Sequence, residues 1–150
     1  MTKTGLEKLF EISKDKVSLI AEADNALDSK VGTLMAFEIT IIIGYLSLNN
    51  LSLSACSITF AILGLLLMAG SVCLLFYVNW PKQYITASVN LNERKEYLSK
   101  TDDQLILQLI SDAQNAFTKN NEILERKTIC YKIAILLLII STPLLILAII

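Results

Sequence analysis

The side chain best placed to do chemistry in this sequence is Glu38. It stands among Phe37, Ile39, Ile41 and Ile42, and the next charged residue downstream is Lys82. An ionisable group deep in an apolar segment is costly and normally faces protein or water. At helical spacing Met35, Ile42 and Tyr45 share its face. Repeated around a symmetric assembly, Glu38 would form an acidic ring, which favours cations in a pore. Ile42 and Tyr45 would then line the same wall. Two other readings stay open: Glu38 pairs with Lys30 or Lys82, or it is protonated and hydrogen-bonded between helices.

A second group is basic. Arg94, Lys95, Lys100, Lys119, Arg126 and Lys127 are candidates for an anionic, phosphate-bearing ligand. The same residues fit a blander role, because anionic headgroups attract basic residues beside membrane segments. A third group, Asp24, Asp28 and Lys30, sits where a polar stretch meets an apolar one, and the expected role there is a structural salt bridge. The chain has no histidine, which removes the commonest general base and metal ligand. Cys56, Cys73 and Cys130 are scattered in or beside apolar segments and form no disulfide framework. There is no glycine-rich phosphate loop and no nucleophile–base pair. These absences predict a protein that is not an enzyme and needs neither metal nor cofactor.

The elements that position these groups follow from the distribution of charge. Hydrophobic residues make up 54% of the 150, and none of the charged residues lies between 39 and 81 or beyond 132. Apolar runs of that length read as bilayer spans. The expected fold is an all-α membrane protein with three transmembrane helices, an N-terminal amphipathic helix and a long third helix projecting into the cytoplasm. Residues 1–31 form the amphipathic segment, with Leu6, Phe10, Ser13, Val17, Ile20, Asp24, Leu27 and Val31 on one face. Residues 32–78 form a helical hairpin turning at Asn49–Ser52, and 79–128 a cytoplasmic segment. Residues 129–150 form the last span, and the whole chain makes one structural unit. The amino terminus lacks the pattern of a cleavable signal peptide.

Within this frame, Trp80 with Tyr77 and Tyr84 reads as an aromatic anchor. Thr101-Asp102-Asp103-Gln104 has the form of a capping box, opening one helix that runs to the C-terminus. Pro143 is expected to kink it, since proline removes a backbone donor. Ser57, Ala61 and Gly64, followed by Ala69, Gly70 and Cys73, form a stripe of small residues suited to close helix approach. The favoured partner for that stripe is the first span of the same chain. Asn50-Leu51-Ser52 fits a glycosylation sequon but lies too near the bilayer to be a good acceptor. The N-terminal segment carries five lysines and residues 82–128 carry seven basic residues, while the hairpin at 49–53 has none. By the positive-inside rule the N-terminus and 79–128 are cytoplasmic and the C-terminus is outside.

The junction Ala26-Leu27-Asp28-Ser29-Lys30-Val31-Gly32, and the later Asn121-Glu122-Ile123 with Arg126-Lys127 entering the last span, resemble the small transmembrane effectors of bacterial anti-phage defence. The similarity is greatest to the Pycsar transmembrane effectors, whose Asp-x-Lys-Ala/Gly junction matches Asp28, Lys30 and, one residue later, Gly32. Val31 stands where that pattern has alanine. The stand-alone size also resembles the channel effector of the Hailong system. The resemblance implies a homo-oligomeric ion channel, with a tetramer as the expected assembly. It would lie in the bacterial inner membrane, depolarise it and arrest growth. Its signal would be a nucleotide, or a short DNA oligomer, made by a partner synthase. A membrane adaptor docking a soluble partner is the alternative.

Overall fold

The computed structural model describes residues 3–48, 55–85 and 101–149. Among them are three helices: α1 (Lys3–Leu48), α2 (Ala55–Asn79) and α3 (Asp102–Leu147), with no strand. The hairpin turn with its sequon, and Arg94, Lys95 and Lys100, fall outside the described residues.

Nothing in α1 stops it at the polar-to-apolar junction. From Lys3 to Leu48 it contains no proline, and Gly32 and Gly44 are its sole described interior glycines besides Gly5. At about 1.5 Å per residue, α1 and α3 are each roughly 70 Å long. The start of α3 is capped. The Thr101 amide donates to Gln104 Oε1 at 3.3 Å, and the Thr101 carbonyl accepts from the Leu105 amide at 2.9 Å. Asp102 and Asp103 occupy the first turn, where negative charge meets the positive end of the helix dipole. Pro143 lies inside α3 without ending it. Just before it, the hydroxyls of Ser141 and Thr142 both donate to the Leu138 carbonyl, at 3.0 and 2.8 Å.

The chain divides into two compact units. The first comprises residues 1–25 and 82–125. Its buried positions are Leu6, Ser13, Ile20 and Asp24 on α1, with Ala113, Ala116 and Asn120 on α3. Asn120 ties down the extended segment after α2: its Oδ1 accepts from the Ile85 amide at 2.9 Å, and its Nδ2 donates to the Ile85 carbonyl at 2.8 Å. A side-chain amide thereby does for one residue what a neighbouring strand would do.

The second unit comprises residues 26–81 and 126–150. Its buried positions are Leu27, Val31, Glu38 and Tyr45 on α1. On α2 they are Ala61, Gly64, Met68, Ser71, Leu75 and Val78, on α3 Lys127, Ala134, Leu138, Ser141 and Leu145, and just past its end Ala148. On every helix these recur at steps of three, four or seven. A stripe with a 3.5-residue period stays on one side of a helix through left-handed coiling. The inner cluster consists of Tyr45, Ala61, Met68, Leu138, Leu145 and Ala148, flanked by Leu34, Ile41, Ile42, Phe60 and Leu65.

Two helices, α2 over Cys56–Asn79 and α3, are long and apolar enough to cross a bilayer. Only 28% of the apolar window of α2 is buried within the chain. Ile58, Ile62, Leu63, Leu66, Phe76 and Trp80 point outward. A helix that is apolar all round belongs where its outer face also meets apolar matter.

At Gly64 and Gly70 the small stripe on α2 meets α3, while Ala61 of the same stripe lies in the inner cluster with Tyr45 of α1. A methyl group on Gly64 would lie 2.9 Å from Leu145 Cδ2 and 3.3 Å from the Ser141 carbonyl. The absent Cβ is what admits the Leu145 side chain against the α2 backbone.

Candidate functional site

Glu38 is fully buried. The residues before and after it are good neighbours for a helix in apolar surroundings. Hydroxyls on the outer faces of α1 return to their own backbone: Thr33 to the Ser29 carbonyl at 3.1 Å, Thr40 to Ala36 at 2.8 Å and Ser47 to Ile43 at 2.8 Å. Local bonding of this kind leaves no donor stranded. Glu38 faces inward, so it must be satisfied by other helices.

Its partner is Ser71 of α2. Ser71 Oγ is hydrogen-bonded to Glu38 Oε1 and also lies 2.9 Å from the Ala134 carbonyl of α3. Three helices therefore meet at one hydroxyl. Glu38 Oε2 and Tyr45 Oη are buried without a hydrogen-bond partner. Glu38 makes no ion pair with Lys30, which is exposed. Ile42 is half-buried against the inner cluster and Tyr45 is within it. The three residues assigned to a pore wall thus share one face, and that face looks into the protomer. An acidic ring on a lumen would require the helices to turn.

Ser71 is the residue that sequence reasoning passed over. Its signal was there: it falls seven residues after Gly64 and seven before Val78, on the stripe that packs inward.

The basic candidates separate. Lys119 and Arg126 are exposed. Lys127 is buried, and its Nζ donates to Asp28 Oδ1 at 3.0 Å, with side-chain exposures of 3% and 35%. The structure joins Lys127, read as a ligand contact, to Asp28, read as a junction residue. A lysine so enclosed cannot reach a phosphate while this packing lasts. Asp24 is buried in the first unit, and Lys30 borders a groove lined by Ser29, Thr33, Leu34, Phe37 and Tyr131, of about 400 Å³. A groove in the first unit, of about 480 Å³, is lined by Glu7, Lys8, Phe10, Glu11, Lys14 and Ile106. Its charges balance, so it does not single out an anion. No cluster of metal-ligating side chains occurs among the described residues.

Two helices long and apolar enough to cross a bilayer, leaving most of their surface outside the chain, pack with α1 around a buried carboxyl bonded to a serine hydroxyl at which three helices meet. The chain belongs to the PycTM family: the model of the Pycsar effector protein domain matches residues 17–150. It is thus a transmembrane effector of Pycsar anti-phage defence. No curated protein and no solved structure matches the chain.

Proposed function

We propose that this effector is a homo-oligomeric ion channel, controlled by a cyclic nucleotide signal from a partner cyclase, that depolarises the bacterial inner membrane and arrests growth. The observation that carries this reading is Glu38 itself. A carboxyl group with one unpartnered oxygen, enclosed in a membrane helix unit of an effector family, is a poor device for stability alone. Residues 32–48 of α1 complete a third span, with the N-terminus and residues 79–128 cytoplasmic and the C-terminus outside. Four subunits is the expected number. Opening rotates the Glu38, Ile42 and Tyr45 face toward a shared lumen, where Glu38 sets cation preference.

The signal acts on the cytoplasmic part. The exposed cations Lys119 and Arg126, with Arg94, Lys95 and Lys100, supply charge for a phosphate. α1 and α3 each contribute residues to both units, so a ligand that favours one packing biases the other end of the same helices. Pro143, which lacks a backbone donor, is where α3 would bend as the channel opens. Asp24, Asp28 and Lys30 hold the junction, with Lys127 as part of that hold.

The test is cation flux through liposomes containing the purified protein, with a panel of cyclic mononucleotides and short single-stranded DNA oligomers. Ligand-dependent flux, with a reversal potential that shifts toward non-selectivity in Glu38→Gln, is the expected result. A well-folded assembly that stays non-conducting with every ligand of both classes, and that binds a soluble partner, would establish the adaptor reading instead.

A further inference from the structure

We propose that Glu38 is a proton-binding site: in the packed protomer it is the neutral acid, and its proton completes a hydrogen-bond chain across three helices. The case rests on counting hydrogens. Ser71 has one hydroxyl hydrogen, yet its Oγ is within hydrogen-bond reach of both Glu38 Oε1 and the Ala134 carbonyl. One hydrogen cannot satisfy both acceptors. If Ser71 donates to an ionised Glu38, the Ala134 carbonyl faces an oxygen with no hydrogen between them. The carboxylate would also be left with a buried, unpartnered Oε2 and no cation. If Glu38 carries a proton, the chain closes: Glu38 donates to Ser71 Oγ, and Ser71 donates to Ala134. Every short oxygen–oxygen contact then holds one hydrogen.

The charges around the site support the neutral form. On α1, Asp28 is bonded to Lys127, Tyr45 has a buried hydroxyl, and Lys30 is exposed. On α2 the titratable groups are Cys56, Cys73 and Tyr77, all exposed. On the membrane half of α3 they are Lys127, Cys130, Tyr131 and Lys132. Lys127 is held by Asp28, Cys130 and Tyr131 are half-buried, and Lys132 is exposed. An ionised carboxylate without a counter-charge in apolar surroundings is far costlier than its acid. The proton comes from bulk water and returns there when the packing opens. Release on channel opening is the one consequence that depends on the channel reading; the occupied site does not.

Infrared difference spectroscopy on the protein in lipid nanodiscs tests this directly. At neutral pH the wild type should show the carbonyl stretch of a protonated carboxylic acid, and Glu38→Gln should lack it. The difference isolates Glu38 from Asp24, the other buried acid among the described residues. Ser71→Ala, a smaller change that keeps the acid, should shift the band by removing its acceptor. A wild-type spectrum with no such band, or a band unaltered in both variants, would overturn the assignment. Thermal unfolding gives the second readout. The packed protein would hold one more proton than the unfolded chain near neutral pH, so its stability should fall as pH rises. Glu38→Gln should flatten that slope, and an equal slope in both proteins would count against the site. A band without flux leaves the proton site standing and sinks the channel; flux without a band does the reverse.

Discussion

The fate of Lys127 shows how a single contact redistributes roles. In sequence it is one of an adjacent basic pair, Arg126-Lys127, equally fit for a headgroup or a phosphate. In the structure the two part: Arg126 faces out, and Lys127 is enclosed against Asp28. Removing Asp28 takes a carboxylate from an enclosed ammonium group, whereas replacing Lys127 leaves behind a carboxylate that is partly exposed. Asp28→Ala should therefore destabilise the protein by on the order of 2 kcal/mol, a figure reduced for the partial exposure of Asp28. Lys127→Met should cost less, since the carboxylate it leaves behind reaches water. Thermal unfolding of both variants in detergent gives the comparison, and a larger loss for Lys127→Met would contradict the assignment of the buried charge.

At the scale of elements, the approach of α2 to α3 is set by a missing side chain. Leu145 occupies the space a Cβ on Gly64 would need. Gly64→Ala forces Leu145 to shift and should cost about 1 kcal/mol, and Gly64→Leu about 2–3 kcal/mol. Because the obstruction is the end of a flexible side chain, Leu145→Ala should recover part of the Gly64→Leu loss. Melting temperatures of the two single variants and the double variant measure that coupling. Additive losses would mean the two positions do not share the space. The long helices themselves were plain in the sequence, because no proline interrupts residues 3–48 or 102–142. The capping residues at Thr101 and Gln104 were plain for a similar reason, as the motif is local. The partner of the small stripe was not, since small residues say that something approaches closely but not which helix does.

For the molecule as a whole, the distribution of cations bears on signalling. Arg126 is exposed and close in sequence to the membrane half of α3, while Lys127 is consumed by structure. Under the proposed function, Arg126→Ala should raise the ligand concentration for half-maximal flux by roughly 10-fold or more, as the loss of one charge-assisted bond of about 1.5–3 kcal/mol implies. Its melting temperature should barely change. Liposome flux titrations read the first quantity and thermal unfolding the second. Unchanged ligand dependence would place the phosphate elsewhere on the cytoplasmic part.

What the sequence determined by itself is what depends on neighbours along the chain. Charge-free runs mark segments for lipid, an unbroken helical pattern makes α1 and α3 single helices, and Thr101 to Gln104 starts the latter. An isolated Glu38 in an apolar stretch already demanded a partner. The tertiary structure decided which partner it met. Ser71 lies 33 residues away and Ala134 a further 63 beyond Ser71, and Lys127 lies 99 from Asp28. Such pairings depend on the rotation and depth of each helix, which are fixed jointly by packing details such as the room Gly64 leaves for Leu145. No local pattern encodes a rotation, so the sequence could show that a buried acid needs a hydrogen-bond partner, and only the packed helices could show that Ser71, itself bonded to a backbone carbonyl of α3, supplies it.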